Sequence, residues 1–249
     1  TRRSSDLFKL TIEYDGTPFG GWQKTKERES VQGTLEQALA VLLRAPFILQ
    51  GASRTDAGVH ATGQVASLRT DALIPPNRLV RGLSALCAPH IAVTRADIAP
   101  DDFNARFDTT GKHYLYTILN RSARSPLYAN RSWHVPARLD PERMRAAAAR
   151  FVGTFDFAGF RAADCGRINT VRTITGVDIR FPGGDLIEIH VTGTAFLKHM
   201  VRIMAGTLVD IGRGALPSDA VEQVLASGDR RRAGRTAPAR GLTLVTVFY

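Results

Sequence analysis

Cysteine is scarce in this chain. There are two, Cys87 and Cys165, in 249 residues, and they lack metal-ligand spacing. Such a pair fits a reducing compartment, with burial as small hydrophobes the expected role. No apolar run approaches the roughly 20 residues that a membrane span takes. The opening Thr1-Arg2-Arg3-Ser4-Ser5-Asp6 has no apolar segment of secretory type. These absences lead to the expectation of a cytoplasmic protein with no membrane partner. The chain starts at Thr1 rather than at a Met, which leaves the true N-terminus open. Acid is short as well, with 23 Asp and Glu against 33 Lys and Arg and a net charge of +10. A basic balance favours a polyanionic partner, nucleic acid first. Most of the excess is Arg, whose guanidinium fork binds two phosphate oxygens at once. The plainer alternative is a basic surface that binds nothing.

What is present is ordinary globular material: 44% hydrophobic and 22% charged residues. The length allows one large domain or two of usual size, and it buries a core without staples. Leu7 to Tyr14 alternates as a strand, and Asp15-Gly16 signals a turn. Phe19-Gly20-Gly21-Trp22-Gln23 is a glycine-broken aromatic loop, and Lys24 to Glu29 a charged run. Ser30 can cap a helix over Val31 to Arg44, with Leu35, Ala38, Leu39 and Leu42 on one face. Strands at Phe47–Gln50 and Gln64–Leu68, a helix from Asn77 to Leu86 and a strand from Ile91 to Ile98 follow. The first half thus runs β-α-β-β-α-β, the split βαβ pattern.

The second half repeats that order. A strand over Lys112–Leu119 precedes a helix opened by Asp140-Pro141 and running to Val152. Strands over Thr173–Phe181 and Leu186–Thr192 flank a turn. A helix from Phe196 to Ile211, a short helix from Ser218 to Ala226 and a strand over Leu242–Tyr249 complete it. The pattern predicts an α+β fold. Two ferredoxin-like, RRM-like halves, 1–105 and 106–249, would join into a wide, mostly antiparallel sheet, with helices on one side and a central basic cleft.

Between the Phe47 and Gln64 strands lies the densest chemistry, Arg54-Thr55-Asp56-Ala57-Gly58-Val59-His60. A loop of about nine residues exceeds the usual hairpin connection, and polar loops on a rigid sheet are where function is placed. Asp56 could be a turn residue bonding its own backbone. It could equally be an ionised carboxylate, held so by Arg54, acting as nucleophile or base. No second His, Cys or acid stands at metal spacing, so His60 is expected to be structural or an RNA contact. Tyr114 and Tyr116 share one side of their strand. They are either core aromatics or a platform on which a flipped base stacks. Arg202 lies on a helix otherwise built for burial and needs an acidic partner; Asp56 is a candidate. Arg230-Arg231-Arg232 with Arg235 is a solvated surface or a phosphate contact.

Taken with Ile12-Glu13-Tyr14-Asp15-Gly16-Thr17, Gly21-Trp22-Gln23, Phe103-Asn104-Ala105-Arg106-Phe107, Phe196-Leu197-Lys198-His199-Met200-Val201-Arg202 and Gly241-Leu242-Thr243-Leu244, these motifs closely resemble the TruA-type tRNA pseudouridine synthases. The resemblance covers nearly the whole chain. It implies that Asp56 is the catalytic aspartate and that Tyr114 packs on the target base. It implies that Arg54 helps to extrude the nucleotide and takes its place, and that Arg202 pairs with the aspartate. It implies isomerisation of uridine to pseudouridine at positions 38, 39 and 40 of the tRNA anticodon stem-loop, without a cofactor or metal, by a homodimer. Two alternatives from other classes are a non-catalytic RNA-binding module, which leaves Asp56 without a purpose, and a nucleoside glycosidase, which would want a second carboxylate.

Overall fold

The computed structural model describes residues 6–25 and 27–249. Thr1–Ser5 of the opening stretch and Lys26 of the charged run lie outside the described residues. The chain divides into two compact units, one running to Thr110 and taking in Leu244–Tyr249, the other Gly111–Thr243. The division falls after Thr110 rather than at 105, and the last six residues count with the first unit.

The first unit contains β1 (Asp6–Tyr14), α1 (Val31–Leu43), β2 (Phe47–Gly51), β3 (His60–Thr70), α2 (Pro76–Leu86) and β4 (Ile91–Ile98). β1 is central, antiparallel to β4 on one side and to β3 on the other. β2 pairs antiparallel with the far end of β3, from Gly51 opposite Ala66 to Phe47 opposite Thr70. The spatial order 4-1-3-2 is that of the split βαβ pattern. The near end of β3 lies beside the closing strand, β10 (Leu242–Phe248). Phe8, Leu10 and Ile12 are fully buried while Lys9, Thr11 and Glu13 between them are not, as the two-residue period of a strand requires. Their partners Leu68, Ala66 and Gln64 share that buried face. α1 and α2 pack on each other and bring Leu35, Leu39, Leu79 and Leu83, all fully buried, to the core. Each of these side chains contributes about 1.5–3 kcal/mol. Ser30 caps α1 by accepting from Gly33 N at 3.1 Å.

The second unit contains β5 (Gly111–Leu119), β6 (Trp133–His134), α3 (Pro141–Ala149), β7 (Gly153–Asp156), β8 (Val171–Gly183), β9 (Leu186–Gly193), α4 (Met200–Gly212) and α5 (Ala220–Ser227). β9 lies between β5 and β8, antiparallel to both, and β7 pairs with β8. The short β5–β6 pairing is parallel. α3 and α4 pack together, α3 against β8 and α4 against β5. Both units are α+β, each with a mostly antiparallel sheet.

Three boundaries differ from the sequence expectation by three residues or more, each for a local reason. β3 starts at His60 rather than Gln64, because Tyr14 pairs with Ala61 across a bulge in β1. α3 stops at Ala149, since the amides of Arg150, Phe151 and Val152 each reach back three residues, to Ala147, Ala148 and Ala149, a tightened last turn. α4 starts at Met200 rather than Phe196. His199 adopts φ +61°, which cannot continue a right-handed helix, and the Lys198 carbonyl accepts from Ala162 N at 3.0 Å.

Candidate active site

Residues 52–59 connect β2 to β3 and carry Asp56. The Asp56 carbonyl accepts from Val59 N at 3.1 Å, closing a β-turn whose third residue, Gly58, has φ +76°, a value that favours glycine. Arg54 is exposed and Asp56 half-buried. Beneath them the loop backbone is fixed from several sides. Thr55 shares a buried 2.8 Å hydrogen bond with the Tyr14 hydroxyl, and its carbonyl accepts from Trp22 N at 3.1 Å. Gln64, fully buried on β3, donates through Nε2 to Ser53 O at 2.8 Å. Gly21 has φ +107°, and a Cβ there would stand 2.6 Å from the Thr55 carbonyl oxygen. Only glycine lets the Gly21-Trp22 turn come this close.

His60 opens β3 rather than lying in the loop, and it is 3% exposed. Its Nδ1 accepts from Gly16 N at 3.1 Å and stands 3.2 Å from Asp15 Oδ1. A ring nitrogen that accepts from an amide carries no proton. The bond to Gly16 therefore needs Nδ1 bare, and a bond to Asp15 needs the proton on Nδ1. In either state His60 ties the turn after β1 to the exit of the loop, from beneath it.

In the second unit Tyr114 and Tyr116 share one face of β5, and their surroundings divide them. Tyr114 is buried with its ring edge-on to Phe196, centroids 5.1 Å apart. Tyr116 is fully buried against Trp133 and donates its hydroxyl to Pro238 O at 2.8 Å. Every residue of α4 is buried except Arg202. Its Nε donates to Ala237 O at 2.8 Å, and its carbonyl accepts from Ala237 N at 3.1 Å. Arg230-Arg231-Arg232 is one 3-10 turn. Arg230 turns inward to Gly234 O at 2.9 Å and Thr236 Oγ1 at 3.1 Å. Arg231 forks onto Asp229 at 3.0 and 2.9 Å.

Arg54, Asp56 and His60 thus share one loop and the strand that leaves it, while Tyr114 and Arg202 lie in the second unit, on β5 and α4. Sequence reasoning missed the residues that hold the loop: Tyr14, Trp22 and Gln64. A signal existed for each. Tyr14 and Trp22 sit within the two motifs nearest the chain start, and Gln64 is a polar residue at a core position of a strand.

A family model described as tRNA pseudouridine synthase matches residues 10–108 and 147–249. The chain is 49% identical over 241 residues to tRNA pseudouridine synthase A of Geotalea uraniireducens (strain Rf4), covering 97% of this chain and 98% of the relative. It is 48% identical to the protein of that name from Myxococcus xanthus, covering 97% and 91%. The counterpart from Syntrophotalea carbinolica is 46% identical, over 98% of this chain and 96% of its own length.

Proposed function

The chain belongs to the tRNA pseudouridine synthase family, and from that premise we propose that it isomerises uridine to pseudouridine in the anticodon stem-loop of tRNA. The positions are 38, 39 and 40, and Asp56 is the catalytic residue. The reaction breaks the N1–C1′ bond, turns the uracil and forms a C5–C1′ bond. No electrons are gained or lost and no group leaves the nucleotide, so the chemistry calls for no cofactor. A uridine in a stem must first leave its stack, at a cost of a few kcal/mol. Arg54, exposed at the rim of the loop, enters the vacated space, and Tyr114 packs on the everted base. Asp56 acts at the ribose, by attack at C1′ or by removing the 2′ proton; either route needs an anionic oxygen beside the sugar. The family resemblance assigns Arg202 as the cation that serves this carboxylate. His60 holds the loop's exit strand rather than touching RNA, in keeping with its burial.

The observation that carries the Asp56 assignment is the build of its loop. A half-buried carboxylate heads a glycine-closed turn whose preceding residues, Thr55 and Ser53, are tied down by Tyr14, Trp22 and Gln64. The active form is a cytoplasmic homodimer in which each tRNA touches both subunits, a reading that rests on the family resemblance. The net charge of +10 fits a long phosphate footprint, and no helix among the described residues is long and apolar enough to cross a membrane.

Tritium at uridine C5 tests the reaction directly. Incubation with tRNA so labelled should release tritium to water, with all of it traceable to the three anticodon-arm positions. Binding without release would leave an RNA-binding module, and liberation of free uracil would make the protein a glycosidase.

A further inference from the structure

The coil between Asp229 and Pro238 forms a strap across α4 in the second unit. Gly234 N donates to Thr207 Oγ1 at 2.9 Å, and that buried hydroxyl donates on to Ile203 O at 2.8 Å. A Cβ on Gly206 would overlap the Arg235 carbonyl oxygen, so the strap lies directly on the helix backbone. Asp210, buried on the same helix, accepts from Arg235 N at 3.3 Å. Arg230 closes the strap on itself through Gly234 O and Thr236 Oγ1.

The far end of the strap is where it meets Arg202. Ala237 exchanges two hydrogen bonds with that residue, one through the backbone and one through Nε. An arginine whose Nε is committed to a fixed carbonyl has its guanidinium plane set as well, since the group is flat and rigid. The Ala237 carbonyl therefore helps to set the direction in which Arg202 presents its charge. One residue on, Pro238 O is held by the Tyr116 hydroxyl at 2.8 Å. The Tyr116 ring fills the space that Gly241 leaves, a Cβ there falling 2.7 Å from the ring. Burial pushes the Tyr116 hydroxyl up from its ordinary value, so it remains a donor at neutral pH.

We propose that Tyr116 is a positioning residue for the isomerisation: through Pro238 it seats the Ala237 carbonyl, and through that carbonyl it aims the Arg202 guanidinium. This rests on the assignment of Arg202 as the cation that serves Asp56. The second tyrosine of the Tyr-x-Tyr pair then has a task as definite as the first. Tyr114 takes the base, and Tyr116, two residues along the same strand face, steadies the charge.

Tyr116→Phe keeps the ring and removes one donor. Under saturating tRNA the rate of tritium release should fall about 10- to 100-fold, the scale of a small misplacement at a reacting centre, while the Kd for tRNA is unchanged. In an Arg202→Ala background the same substitution should cost nothing further, because the group it aims is gone. A Tyr116→Phe protein that turns over normally would overturn the proposal. So would losses that multiply in the double variant, or rate and affinity falling together, since a merely structural tyrosine would behave in those ways. If Arg202→Ala itself leaves turnover intact, the assignment of Arg202 fails and takes the proposal with it. If Arg202→Ala slows turnover but the pair is additive, only the role of Tyr116 fails. Thr207→Ala removes another strap anchor and is held to the same comparison, so the outcome does not hang on one variant folding.

Discussion

Asp56 and Arg202 are each half-buried charges on a rigid support, yet their supports are built in opposite ways. Around Asp56 a set of bonds ties down its own loop: at the Thr55 and Ser53 carbonyls, the Thr55 side chain and the Asp56–Val59 turn. Around Arg202 the helix is already fixed by burial on every other residue, and the added bond goes to the side chain itself, Nε to Ala237 O. The difference follows from length. An aspartate has two side-chain torsions, so fixing the backbone nearly fixes the carboxylate. An arginine has four, and holding it still costs about 2 kcal/mol of rotamer freedom unless a hydrogen bond preorganises the fork. A short anion is placed through its loop; a long cation has to be held near its tip.

The largest effect should come from the anion itself. Asp56→Asn keeps the size of the side chain and every backbone tie beneath it. Tritium release should fall by at least about 10³-fold, as for loss of a residue on which the chemistry turns, with tRNA affinity and melting temperature unchanged. A variant that retains turnover would remove Asp56 from the chemistry. A variant that loses stability as well would show the carboxylate to be part of its own scaffold, and the contrast with Arg202 would go. Next in size is Gly21→Ala, which strikes the loop without touching any charged group. The new Cβ meets the Thr55 carbonyl oxygen at 2.6 Å on a backbone with φ +107°. Urea denaturation should show a loss of about 1–3 kcal/mol for strain of this kind, accompanied by slower turnover. Normal turnover at reduced stability would mean that the loop backbone does not place Asp56.

How far the sequence could be read follows the same division. The Asp56 loop is contiguous: its turn residue Gly58, its charges and both flanking strands lie within some twenty residues, and the alternation of Phe8, Leu10 and Ile12 marks the strand beneath. The Arg202 support is scattered. Ala237 lies 35 positions away and Tyr116 122 positions from Pro238. Residues 229–238 have no periodicity to announce a strap, and an inward-turned Arg230 looks, on paper, like any solvated arginine. β6 and β7, of two and four residues, are too short for an alternating pattern to register. The closing strand is plain from its apolar residues, but nothing local tells Leu244–Tyr249 that it belongs with the first unit. Pairing of that kind is decided by which sheet edge is open, a property of the folded chain.

The smallest effect should come from the same chemical change made in the first unit. Tyr14→Phe deletes the hydroxyl that meets Thr55 Oγ1 at 2.8 Å, as Tyr116→Phe deletes the one that meets Pro238 O. Each removes one hydrogen bond from a buried tyrosine, so both should lower the unfolding free energy by about 1 kcal/mol. Their effects on turnover should part. The Thr55 segment keeps its tie to Trp22 N, Ser53 its tie to Gln64, and the turn its Val59 bond, so the loop of Tyr14→Phe stays in place and its rate should fall less than about threefold. The strap end has its bond to Tyr116 beside the residue whose carbonyl holds Arg202 Nε, and there the rate should suffer. Matched urea titrations with single-turnover tritium assays on the two variants decide the matter. Equal losses of rate would mean that the loop depends on one hydroxyl as much as the strap does, and the distinction between an anion placed through its loop and a cation held at its side chain would not stand.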